Sequence, residues 1–159
     1  MSGEGRPGSA TLDGSALRLA IVATRWNADL VQTMLARALD CARDCSVPEP
    51  TVVHVAGAIE LPVVVQQLAR THDAVVALGA VIRGGTPHFE YVCDSVTAGL
   101  TRIALDEGTP IGNGVLTCNT MEQALERSGA PGSTEDKGYE AAHAAIDTAM
   151  TLAGLRGEK

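Results

Sequence analysis

Residues 73–88, DAVVALGAVIRGGTPH, contain the longest and most apolar of the predicted strands, followed directly by a glycine turn. The first ten residues are apolar almost throughout, which is typical of a strand that is covered on both faces. Two glycines then interrupt the apolar pattern. Thr86 suits the cap of a helix and Pro87 suits its first turn, so a helix is predicted to begin there.

The same alternation of strand and helix extends in both directions from this unit. Further apolar runs occupy residues 17–23, 51–58 and 114–119. Helical spacing of apolar residues marks 27–42, 61–68, 92–103, 121–128 and 135–154. Apolar strands that alternate with helices predict an α/β fold: one doubly wound domain with a four-stranded parallel sheet, right-handed crossovers and helices on both faces.

Length and composition indicate one folded domain. A chain of 159 residues is long enough to bury a substantial core. Residues 1–16 are polar and lack the apolar block of a secretory signal, so we expect a flexible arm before a domain at 17–159. No apolar stretch approaches the length of a membrane span.

Charge and cysteine content exclude other classes. The chain has 12 basic and 19 acidic residues, a net charge of −7, and no basic cluster, which argues against a nucleic-acid partner. The four cysteines form no C-x-x-C pair and are predicted to be reduced thiols of a cytoplasmic protein. They are Cys41, Cys45, Cys93 and Cys118.

Polar, aromatic and glycine residues follow each predicted strand. Ligands of doubly wound proteins bind beyond the carboxyl ends of the strands, so these stretches form the candidate site. They are residues 24–27, 57–60, 83–88 and 117–120.

The turn at residues 84–86 allows two interpretations. Gly84 and Gly85 leave the backbone accessible, and the start of the following helix suits a phosphate. A capped turn without a ligand explains the same residues equally well. His88 lies in the first helical turn, where the helix dipole disfavours a protonated ring, so it is either a neutral proton carrier or a solvent-facing histidine.

Other candidates also have two interpretations. Trp26 either stacks on a flat ligand or seals the core. Glu60 either binds ligand hydroxyls or complements a helix dipole. Arg127 and Lys137 either hold an anion or are ordinary surface charges. The H-x-E spacing at His88 is that of zinc deaminases, but the required P-C-x-x-C pair is missing, so no metal site is predicted.

Five motifs, in order, resemble the lumazine synthase family. They are RWN (25–27), GAIELP (57–62), ALGAVIRGGTPHFEYV (77–92), NGVLTCNTMEQALER (113–127) and EDKG (135–138). The resemblance extends from Leu17 to the last helix. It implies a flavodoxin-like fold and a condensation without metal or cofactor. The implied substrates are 5-amino-6-(D-ribitylamino)uracil and L-3,4-dihydroxy-2-butanone 4-phosphate, and the implied product of this riboflavin-biosynthesis step is 6,7-dimethyl-8-ribityllumazine.

The resemblance also implies roles for individual residues. The uracil substrate would contact Trp26, Ala58, Ile59, Glu60, Val81 and Ile82, with Trp26 stacked on the heterocycle. The phosphate would be cradled by Gly84, Gly85 and Thr86, and His88 would move protons. A neighbouring subunit would contribute Asn113 and Arg127, with Lys137 adding positive charge nearby.

The chain departs from the family pattern at three places. Asn113 stands where many members have an aromatic residue, and Ala58 offers no hydroxyl to the ribityl chain. The loop from Arg127 to Lys137 is longer than in members that form sixty-subunit cages and has an extra proline, which favours a pentamer. The alternative functions are a non-catalytic flavin- or lumazine-binding module and a shell-forming protein.

Overall fold

The computed structural model describes Gly8 and residues 11–157. It contains a four-stranded parallel sheet in the order β2-β1-β3-β4. The strands are β1 Leu19–Thr24, β2 Thr51–Val55, β3 Ala74–Ile82 and β4 Ile111–Cys118. The helices are α1 Ala28–Asp44, α2 Leu61–Ala69, α3 His88–Glu107, α4 Met121–Leu125 and α5 Lys137–Arg156, with a 3₁₀ turn at Ala58–Glu60. The predicted α/β class and four-stranded parallel sheet are confirmed.

Helices cover both faces of the sheet. In β1, Ile21 and Ala23 face a core formed with α1 and α5, while Ala20 and Val22 face a second core formed with α2 and α3. All of β1 and most of β3 are therefore buried on both sides. This explains why their sequences are apolar throughout rather than alternating.

Strand β4 begins three residues earlier than its sequence predicts. The residues added at its start include Gly112 and Asn113, which have low strand propensity. Pairing with β3 from Val75↔Ile111 onward extends the strand. Gly112 is required by packing, since a Cβ there would lie 2.3 Å from the carbonyl oxygen of Ala141 in α5.

The ends of α3 show one correct and one incorrect prediction. The helix begins at His88, with Pro87 at the cap position and no side-chain cap, so the predicted capping role of Thr86 is wrong. A carboxyl end near Gly108 is confirmed. Gly108 adopts φ 62°, a left-handed conformation that glycine reaches without steric cost.

Most of the predicted arm, residues 1–7 and 9–10, lies outside the described residues. Within 11–16, Leu12 packs against the core and the Gly14 N–H donates to Cys45 O at 2.7 Å. The boundary at residue 16 stays a prediction. In the part of the chain that is described, no helix is long and apolar enough to cross a membrane.

Candidate functional site

The turns after β1, β2 and β3 meet at the carboxyl end of the sheet. The Trp26 N–H donates to Ala56 O at 3.1 Å, and Asn27 Nδ2 donates to Ala80 O at 3.0 Å. The order β2-β1-β3-β4 changes direction between β1 and β3, which makes this end a topological switch point. Doubly wound proteins bind ligands at such a point.

Trp26 projects into solvent at this position. Its side chain is 72% exposed and borders an open cleft of about 420 Å³. Asn27 adopts the left-handed conformation with φ 56°, which Asn tolerates better than most residues, and so turns the chain directly after Trp26. The core-sealing interpretation of Trp26 is therefore wrong, and an indole face is available for stacking.

Glu60 converges with Trp26 over Gly57. Glu60 Oε2 accepts a hydrogen bond from the Gly57 N–H at 2.8 Å. A Cβ on Gly57 would lie 3.3 Å from both Glu60 Oε2 and Trp26 Cδ1. The 3₁₀ turn at Ala58–Glu60 also leaves Ile59 48% exposed. A carboxylate and an aromatic ring thus share one small surface.

The turn after β3 is open to solvent. Val81 and Ile82 are half-buried, and residues 83–88 are exposed. A Cβ on Gly84 or Gly85 would meet nothing within 4 Å, and neither glycine has a left-handed φ. Packing and backbone conformation therefore do not require these two glycines, and the turn leaves its backbone open to close approach.

His88 lies beside this turn. It is the first residue of α3 and is exposed, so its ring can contact a ligand held at residues 84–86. The amino end of a long helix favours a negative group at the same place. The turn and the histidine together suit an anionic substrate that gains or loses protons.

Asn113 lies away from this cluster. It is exposed on the edge strand β4, paired in register with Ala77, and its Oδ1 accepts from the Val115 N–H at 3.0 Å. It precedes Thr117, the partner of Val81, by four residues, or about 13 Å along the strand. Within one chain, Asn113 and Trp26 do not form a common pocket.

Arg127 and Lys137 lie together on either side of Glu135. Arg127 Nε is 3.6 Å from Glu135 Oε1, and Lys137 Nζ is 2.5 Å from Glu135 Oε2 and 2.7 Å from Glu140 Oε2. Burial acts to lower the pKa of Lys137, but hydrogen bonds to Glu135 and Glu140 outweigh it and raise that pKa. The Lys137 charge is therefore compensated by carboxylates, while Arg127 keeps a third of its side chain exposed.

Asn27 and Asn119 lie within the candidate stretches 24–27 and 117–120, but the sequence predicted no individual role for either residue. Asn27 shapes the turn that presents Trp26, and an asparagine directly after a strand is the available signal, because Asn adopts left-handed turns. Asn119 accepts from Arg83 Nε at 2.7 Å, a contact across 36 residues that no local pattern reveals. Among Gly8 and residues 11–157, no group of three His, Cys, Asp or Glu side chains is arranged to hold a metal ion.

These features define a doubly wound α/β protein with an open candidate site at the switch point, where an exposed indole, a carboxylate and a glycine turn beside a histidine come together. Comparison with known proteins identifies the family. The family model described as 6,7-dimethyl-8-ribityllumazine synthase matches residues 16–153.

Three relatives that carry the same description agree along nearly their whole length. The relative from Saccharopolyspora erythraea is 65% identical over 99% of this chain and 95% of its own. The relative from Thermobifida fusca is 65% identical over 98% of this chain and 91% of its own. The relative from Corynebacterium efficiens is 60% identical over 100% of this chain and 99% of its own. The chain belongs to the 6,7-dimethyl-8-ribityllumazine synthase family, transferases of riboflavin biosynthesis, as its motifs predict.

Proposed function

We propose that the chain condenses 5-amino-6-(D-ribitylamino)uracil with L-3,4-dihydroxy-2-butanone 4-phosphate. The products are 6,7-dimethyl-8-ribityllumazine, inorganic phosphate and two molecules of water. The observation that carries this proposal is 65% identity to relatives named for that product, over nearly the whole chain. No finding favours a non-catalytic binding module or a shell protein.

The uracil substrate binds across the turns after β1 and β2. Trp26 stacks on the heterocycle, because its indole is exposed beside the cleft. Glu60 accepts hydrogen bonds from the ribityl hydroxyls, since only one of its carboxylate oxygens is hydrogen-bonded within the described residues. Ala58 and Ile59 line the ribityl chain, and the backbone of Val81 and Ile82 meets the pyrimidine edge.

The phosphorylated substrate binds at the turn after β3. Backbone N–H groups of Gly84, Gly85 and Thr86 cradle its phosphate, a role supported by glycines that packing does not require. The amine of the uracil substrate attacks the ketone, and the ketone oxygen leaves as water to give an imine. Phosphate then leaves, and ring closure with loss of water completes the product. His88 moves protons during these steps, and aligning the two substrates supplies most of the rate enhancement.

A second subunit completes the site. Asn113 is exposed on the sheet edge and lies about 13 Å along β4 from Thr117, which supports a role in a neighbour's site rather than its own. Arg127 holds the phosphate of that neighbouring site by a charge-assisted contact. Lys137 adds little net positive charge to that site, because ion pairs with Glu135 and Glu140 compensate its charge. The assembly is a cytoplasmic pentamer rather than a sixty-subunit cage.

Mixing the purified protein with both substrates tests the reaction. Absorbance and fluorescence of the lumazine should rise faster than in the uncatalysed mixture, with one phosphate released per lumazine. A rate equal to the uncatalysed one, with tight lumazine binding, would instead establish the binding module.

Native mass spectrometry tests the assembly. A mass of five chains supports the pentamer, and a mass of sixty chains contradicts it. Mixing the impaired Trp26→Ala and Arg127→Ala proteins after dissociation and reassembly, at a low concentration of the phosphorylated substrate, tests the shared site. Recovered activity in the mixture is expected, since some interfaces then combine two intact halves.

A further inference from the structure

Arg83, the residue between β3 and the glycine turn, has no role in the chemistry described above. We propose that Arg83 is a positioning residue that holds the phosphate turn (residues 84–87) against the segment that follows β4. The proposal rests on the proposed phosphate site at that turn.

The side chain of Arg83 connects the two ends of the phosphate turn. Its NH1 forms an ion pair with the carboxylate of Glu90, and its Cζ lies 4.2 Å from the centroid of the Phe89 ring. Arg83 precedes the turn, whereas Phe89 and Glu90 follow it in α3. The contacts therefore join the two ends of a segment whose glycines have no packing contacts at the Cβ position.

The same side chain reaches the segment after β4. Arg83 Nε donates to Asn119 Oδ1 at 2.7 Å, and the Asn119 N–H donates to Gln123 Oε1 at 2.9 Å. Arg127 NH1 then donates to Gln123 O at 2.8 Å. A continuous line of contacts thus connects the phosphate turn with Arg127, the second proposed phosphate ligand. Each Arg83 would order its own turn and also the arginine offered to the neighbouring site.

The geometry favours positioning over direct binding of phosphate. The guanidinium of Arg83 donates to Asn119 and Glu90, and its Cζ lies over the ring of Phe89. These three contacts require the planar fork of arginine, which lysine does not reproduce. Because Arg83 and Glu90 are 42% and 50% exposed, the ion pair contributes little to global stability, so its main effect is local geometry.

Two substitutions at Arg83 test the proposal. For both Arg83→Gln and Arg83→Lys we expect the Kd for inorganic phosphate, measured by calorimetry, and the KM for the phosphorylated substrate to rise about tenfold, since small displacements of a binding group are costly. The KM for the uracil substrate should stay unchanged. The matched control is Arg102→Gln, which removes an exposed ion pair with Asp106 farther along α3 and should change none of these values.

Two partner substitutions separate positioning from direct binding. Glu90→Gln and Asn119→Ala should each raise the Kd for phosphate. In a double variant with Arg83→Gln, the fold rise in Kd should be smaller than the product of the two single-variant rises. Tighter phosphate binding in Glu90→Gln, or wild-type values in Arg83→Lys, would show that the Arg83 charge itself binds phosphate and would overturn the proposal.

Calorimetry requires no turnover and therefore separates the two proposals. Absence of lumazine formation by the wild-type protein would refute the proposed reaction, while the phosphate Kd values would still decide the role of Arg83. A wild-type protein that does not bind phosphate would refute the positioning role.

Discussion

The two ends of the sheet use their polar side chains differently. At the amino end, Arg18 donates to both carboxylate oxygens of Asp73, and Thr109 Oγ1 donates to Ala69 O at 2.9 Å within the core. At the carboxyl end, Trp26 and the phosphate turn are exposed. Polar groups at the amino end thus stabilise the chain itself, whereas those at the carboxyl end are available to a ligand.

Substitutions of the same residue type at the two ends should therefore differ in kind. Those at the amino end should change the free energy of unfolding and leave kinetics intact. Those at the carboxyl end should change the kinetics and leave the free energy of unfolding nearly intact.

The largest effect is expected for Arg127→Ala. Loss of a charge-assisted contact should raise the KM for the phosphorylated substrate about 100-fold, with the KM for the uracil substrate nearly constant. Steady-state kinetics with each substrate varied in turn measures both. The matched substitution at the amino end, Arg18→Ala, should leave both KM values unchanged. Equal effects of the two substitutions would show that the two ends of the sheet do not differ in function.

Threonine substitutions compare the ends at constant side-chain shape. Thr109→Val leaves the buried carbonyl of Ala69 without its donor and should lower the free energy of unfolding by about 1–3 kcal/mol. Thr86→Val should lower it by less than about 0.5 kcal/mol, because Thr86 is exposed. Urea denaturation measures both. A larger loss for Thr86→Val would contradict the assignment of this turn to ligand binding.

A histidine pair tests proton transfer. His88→Gln should lower kcat about tenfold, less than many general acids and bases contribute, because substrate alignment is retained. His72 Nε2 lies 3.1 Å from Thr51 Oγ1 at the amino end, and His72→Gln should leave kcat unchanged. An unchanged kcat in His88→Gln would remove His88 from the mechanism.

The smallest effect concerns pH and the ion pair at the amino end. A hydrogen bond from Arg18 lowers the pKa of Asp73 below its usual value of 3.8. A carboxyl group whose pKa is lowered by folding stabilises the native state above its unfolded pKa, and that stabilisation is lost as the pH falls through the folded pKa. The difference in unfolding free energy between wild type and Asp73→Asn should therefore be constant at neutral pH and shrink below about pH 4.

Denaturation curves from pH 7 to pH 2 measure that difference. A difference that grows on acidification would show that Asp73 is not stabilised in its charged form. The kinetic constants of Asp73→Asn at neutral pH should match those of the wild type, since the ion pair is remote from the ligand end.

Much of the fold was predictable because the hydrophobic pattern of each segment indicates its secondary structure and burial. The uninterrupted apolar run of β3 indicates a strand buried on both faces, and the structure places helices on both. The start of β4 was not predictable, since Gly112 and Asn113 are poor strand formers. Pairing with β3 and the close approach of α5 override their propensity.

The candidate site divides in the same way. The motifs identify the residue types, because an aromatic residue, a glycine turn and a histidine follow strands in sequence order. They do not reveal that Glu135 and Glu140 surround Lys137, nor that Asn113 lies far from Trp26. Those facts depend on how segments distant in sequence pack against one another.

Local sequence patterns were enough to predict the α/β class, the family, and the sheet end at which the candidate residues gather, because hydrophobic periodicity and strand-end motifs are local properties. The folded structure was needed to show that Trp26 is exposed to solvent, that packing does not require Gly84 and Gly85, and that Arg83 contacts Asn119. The physical reason is that exposure, steric room and contacts between distant side chains are set by neighbours that only the folded chain brings together.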